Sequence, residues 1–231
     1  MILWLLTIGS ISLLGQVVLL RELNVALFGS ELVYILALGI WLLGSAAGAG
    51  IGRRPVGPPA AGVRGLLAVF ALVLPLALVF TRAMRLLLVG VPGAYPNFGN
   101  QLLGLGLAVL PVSLLAGLLF QRAAKLYVGE NRTLAAAYAI ESVGALAGGV
   151  LATVFLKWGI RNLTAALVCS LVALGAAYLP RHRRRPGGLL PVAAPLAVLL
   201  LAGLVWSGDL DLRMTAWNHP RLAASRDTPY S

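Results

Sequence analysis

Seven stretches of this chain are apolar over about 18 residues, close to the roughly 20 that a bilayer-spanning helix needs. They cover, approximately, 2–20, 32–51, 65–80, 102–120, 134–155, 163–179 and 189–206. Hydrocarbon offers no water to backbone N–H and C=O groups, so runs of this kind must become helices that satisfy their own hydrogen bonds. The expected fold class is therefore all-α: a polytopic transmembrane helix bundle of about seven spans, embedded in the lipid bilayer as a multi-pass protein of the cell (inner) membrane. The composition is 60% hydrophobic and only 11% charged, and the mean hydropathy is +0.93, which excludes an ordinary soluble domain. The first run has no basic segment before it and no A-x-A cleavage signal, so it reads as a retained helix. Residues 1–207 form the expected membrane domain. Residues 208–231 form a polar tail containing Asp209, Asp211 and Asp227, with no pattern long enough to build a core.

The net charge of +11 does not point to nucleic acid. Lys and Arg fall in short clusters between apolar runs, which is where membrane loops carry them, and no basic helix or RNA-binding aromatic motif is patterned for a groove. Connections two, four and six carry ten basic residues: Arg53, Arg54, Arg64, Arg122, Lys125, Arg132, Arg181, Arg183, Arg184 and Arg185. Connections one, three and five carry five, namely Arg21, Arg82, Arg85, Lys157 and Arg161. The excess places the N-terminus in the cytoplasm and, with seven spans, the tail outside, where its Arg213, Arg221 and Arg226 narrow the contrast to ten against eight. A lone Cys169 and two distant histidines, His182 and His219, give no metal-ligand spacing, so no metal or cofactor is expected.

One ionisable residue lies inside an apolar run. Glu141 falls roughly 11 Å along the fifth helix, within a hydrocarbon core of about 30 Å. A carboxylate there must face the bundle interior or a watery cavity. Tyr138 and Ser142 flank it, and Gln16 and Arg21 on the first helix are candidates to line a polar path towards it. The alternative for Arg21 is an interfacial ion pair with Glu22 at the helix end. Gly44, Gly48 and Gly52 recur every four residues on the second run, and Gly144 and Gly148 do so on the fifth. Such spacing lets neighbouring helices approach closely.

Three stretches carry a resemblance. ISLLGQVVLLRELNVALFGSELVYILALGIWLLGSAAGAGIG, YAIESVGALAGG and the terminal SRDTPYS resemble the membrane region of spermidine synthase-like integral membrane proteins. In that family a helical membrane region precedes a polyamine aminopropyltransferase domain. Arg21, Gly29, Ser30, Gly44 and Gly48 fit its opening hairpin, whereas Gln16 stands where many relatives have an acid. Tyr138, Glu141, Ser142, Gly144, Gly148 and Gly149 fit its fifth helix. GIGRRP is similar in part to a loop of major facilitator transporters, without that loop's aspartate.

The resemblance implies a membrane anchor for an aminopropyltransferase domain, in the same chain or a separate one, with Glu141 handling polyamine or another cation. The enzyme itself is not encoded in these 231 residues. No glycine-rich strand-to-helix turn with a downstream acid occurs, and no paired-carboxylate or nucleophile–base motif replaces it. A small stand-alone transporter, acting alone or as a homo-oligomer of half-size units, and a structural membrane scaffold are the other readings. In either, Glu141 can be a structural acid that hydrogen-bonds a neighbouring helix.

Overall fold

A computed structural model describes residues 1–54, 59–88, 96–178 and 190–217. These form eight α-helices and, among the described residues, no strand: α1 (Ile2–Ala26), α2 (Glu31–Gly52), α3 (Pro59–Leu88), α4 (Phe98–Val128), α5 (Leu134–Lys157), α6 (Asn162–Tyr178), α7 (Leu190–Val205) and α8 (Ser207–Ala216). Short polar signals divide them. Asn97 caps α4 by accepting from the Asn100 backbone N–H at 2.8 Å, and Thr133 caps α5 through Ala136 at 3.2 Å. Gly29, at φ 76°, supplies the left-handed residue that turns α1 into α2. Pro75 and Pro111 lie inside continuous helices, which neighbouring segments make tolerable in a membrane protein.

Of about seven expected spans, five or six are found among the described residues. Five helices, α1 to α5, are long and apolar enough to cross a membrane, and α7 with α8 makes a sixth if that pair, bent by 74°, is one span. Helix α6 has 17 residues, about 26 Å at 1.5 Å each, a little short of a hydrocarbon core of about 30 Å. The tail differs too. Residues 207–216 are helical, and Ser207, Asp211 and Met214 are buried against the bundle. The basic segment 180–188 and the terminal SRDTPYS lie outside the described residues.

Helix α1 is the centre of the bundle. Leu5, Ile8, Ile11, Leu19 and Leu23 on it are almost wholly buried, and it touches every helix from α2 to α6. Helices α2 and α5 lie on the flanks, each turning Leu, Ile and Val side chains outward (Leu42, Leu43, Val143 and Leu146 among them). These apolar outer faces suit a multi-pass protein in contact with lipid.

Two glycine seams hold the flanking helices. A side chain at Gly144 or Gly148 would overlap the backbone of Leu6 or Ser10 on α1. Ser10 Oγ adds a hydrogen bond to the Gly144 carbonyl at 2.7 Å. On the other flank, side chains at Gly44, Gly48 and Gly52 would strike Ser113, Leu114 and Gln121 of α4, and one at Gly117 would strike Ser45 of α2. With lipid as apolar as leucine, close backbone approach is what gives membrane helices their packing energy.

Candidate functional site

The chemistry-bearing residues that the fold concentrates are not around Glu141. They meet at the end of the bundle away from Met1, where α1 and α3 finish, α6 begins and α8 crosses. Glu22, on the last turns of α1, receives Arg82 Nε from α3 at 2.5 Å. The other arm of Arg82 reaches Asp211 Oδ1 of α8 at 2.7 Å. Asn162, the first residue of α6, donates through Nδ2 to Glu22 Oε2 at 2.9 Å and accepts from Arg21 Nη1 at 2.7 Å. Arg161 stands 3.7 Å from the second oxygen of Asp211. Four helices thus converge on one guanidinium.

Burial decides what this arrangement is. Glu22 and Arg82 are each 7% exposed, Asn162 3% and Asp211 2%. A surface pair of this kind contributes a few tenths of a kcal/mol. Here each charge has lost most of its water, so the cluster rests on its pairing: two carboxylates beside the central Arg82 and an amide donating to Glu22. Side chains from α1, α3, α6 and α8 therefore depend on one another. The cluster contains no nucleophile paired with a base. Its chemistry is electrostatic, a joint whose parts hold together or separate as a set.

The structure disperses the residues expected to form a polar path. Glu141 is half-buried on α5, its backbone carbonyl against Gly9 of α1. Arg21 lies twelve residues further along α1, about 18 Å away, and is joined to Asn162. Gln16 is half-buried between those levels. Tyr138 is exposed, its ring centroid 4.6 Å from that of Phe120 on α4, and Ser142 is exposed. Gln16, Arg21 and the level of Glu141 thus fall at three successive heights along α1. The Glu22 carboxylate, next to Arg21 in sequence, is engaged by Arg82 and Asn162. Cys169 is buried with its thiol against the Ile11 carbonyl at 3.5 Å.

Sequence reasoning missed Arg82, Asn162 and Asp211. Each stands at the edge of an apolar run, where charge normally reads as a loop or a snorkelling end. One signal was present: Arg82 interrupts a segment that stays apolar beyond it to Leu88, so it sits within a helix and not after one.

No protein-family model, no curated protein and no solved structure matches this chain.

Proposed function

We propose that this chain is an integral membrane domain that anchors an aminopropyltransferase domain, in the manner of the spermidine synthase-like proteins it resembles. The observation that supports this reading is the fixing of α8. Asp211 ties the segment leading out of the bundle to Arg82, and through it to α1 and α6, so whatever follows is attached to a rigid support. An anchor needs that property, and a loose tail would lack it.

A second reading, a half-size transporter, is favoured by the charge bias of the connections. Helix α8 lies at the end opposite Met1, and ten Lys and Arg on the even connections, against five on the odd ones and three in the tail, favour Met1 in the cytoplasm. A domain that consumes a cytosolic cosubstrate has to sit on the other side from that arrangement. The deciding experiment fuses a reporter active on one side only after Ser231. A cytoplasmic signal supports the anchor. A signal from the far side overturns it and leaves the transporter.

A further inference from the structure

We infer that α1–α3 and α4–α6 are two copies of one three-helix unit inserted in opposite orientations, and that this symmetry gives the bundle a second conformation in which its two ends exchange roles. The packing carries the inference. Replacing α1, α2 and α3 by α4, α5 and α6, and the reverse, turns the α1–α5 pair into α4–α2, the two most extensive helix pairs in the bundle. It turns α1–α6 into α4–α3 and leaves α1–α4 and α3–α6 as they are, and all of these are packed pairs. Both flanking pairs run parallel: Leu6 and Ser10 of α1 meet Gly144 and Gly148 in order, and Ser113 and Gln121 of α4 meet Gly44 and Gly52 in order.

The registers of the buried faces agree at most positions. The buried positions Ala37, Gly44, Gly48 and Gly52 of α2 lie 100 residues before the buried Ala137, Gly144, Gly148 and Ala152 of α5. Between α1 and α4 the interval is 104. Buried Trp4, Leu5, Ile8, Gly9, Leu19 and Leu23 fall on buried Ala108, Val109, Val112, Ser113, Ala123 and Tyr127. Consecutive helices alternate in direction, so a repeat of three is inverted in the membrane, with a pseudo-twofold axis in its plane. Transporters built this way place two structurally equivalent halves against each other, and access alternates as one moves on the other.

The symmetry breaks at one contact. Helices α1 and α3 pack together, while α4 and α6 meet at most marginally. The close pair is the one bridged by Glu22 and Arg82. The position equivalent to Glu22, 104 residues on, is Leu126, and the equivalent of Arg21 is Lys125. Among the described residues, one end therefore has a lock that the other lacks. Exchanging the conformations of the two units yields the second state: α1 and α3 part, breaking the lock, while α4 and α6 close. This function goes beyond anchoring and does not depend on it.

The test uses the full chain in lipid nanodiscs, with Cys169→Ala removing the native thiol. Spin labels at Val25→Cys and Leu86→Cys report the α1–α3 end, and labels at Val128→Cys and Val172→Cys report the α4–α6 end; all four positions are exposed. Adding Glu22→Gln is expected to lengthen the first distance and shorten the second together, each by about 5 Å, the scale of a one-turn helix shift. Arg213→Gln, on the exposed face of α8, is expected to move neither. A change at the first end alone, or at neither, overturns the inference. With the lock intact, joining Val128→Cys to Val172→Cys by a short bifunctional maleimide is expected to raise amide hydrogen exchange in residues 207–216 several-fold. Failure to join them, or joining without that rise, overturns it equally, and this arm does not require the Glu22 variant to fold.

Discussion

Arg82 is the side chain with most to lose. Its guanidinium is held by Glu22 on one side and Asp211 on the other, and removing it leaves two carboxylates buried together. Arg82→Met is expected to destabilise the protein by about 3–5 kcal/mol, the usual cost of orphaning a buried charge, measured by unfolding in detergent. The triple variant Glu22→Leu, Arg82→Met, Asp211→Leu is expected to recover most of that loss, because it removes the charges along with their attraction. Sodium chloride between about 0.05 and 0.5 M is expected to change neither stability appreciably, since screening acts on charges that water reaches. A salt-sensitive wild type would show that the cluster is wetter than its geometry indicates. Its members were only half legible in the sequence. Glu22 and Arg21 stood out as charges beside an apolar run, but what pairs with them comes from helices 60 and 140 residues away. No local pattern encodes a partner at that distance.

Individual helices obey simpler rules, and much more of them could be read directly. The apolar runs gave the helices, and the four-residue glycine spacing marked the faces along which α2 and α5 pack. Where reading failed, the cause was an apolar pattern without a clear edge: α7 continues into α8 through a bend at Trp206, and residues 207–216 are too polar to register as part of the bundle until their buried face is seen. The seams make a clean prediction. Gly148→Val and Gly48→Val each push a branched side chain into a facing backbone. Each is expected to cost about 1–3 kcal/mol, as overpacking does, or to separate the pair outright. Gly39→Val, whose added atom meets nothing, is expected to fall within about 0.5 kcal/mol of wild type. Thermal shift in one detergent compares all three, and equal losses at Gly39 and Gly148 would sink the argument.

For the molecule as a whole, orientation rests on a modest difference in charge. Replacing Arg181, Arg183, Arg184 and Arg185 by Gln lowers the count on the even connections from ten to six, against five on the odd ones and three in the tail. With the bias almost gone, a mixed population of orientations is expected, read by labelling single cysteines from each side of intact cells. A uniform orientation in that variant would mean that something other than loop charge sets it. The alternation of helix direction, visible in the order of the runs, was legible from the outset. The pairing of α1 with α5 and of α2 with α4 was not, because either flanking helix offers the same small residues to any neighbour.

The 74° bend between α7 and α8 settles how the chain departs. A helix continuing straight would carry its next residues away from the bilayer like a mast. Instead the last described helix, ten residues long and so about 15 Å from end to end, lies like a lintel over α3 and α6. Its Trp217 end therefore lies across the bundle and not along its axis, within about 15 Å of the bend.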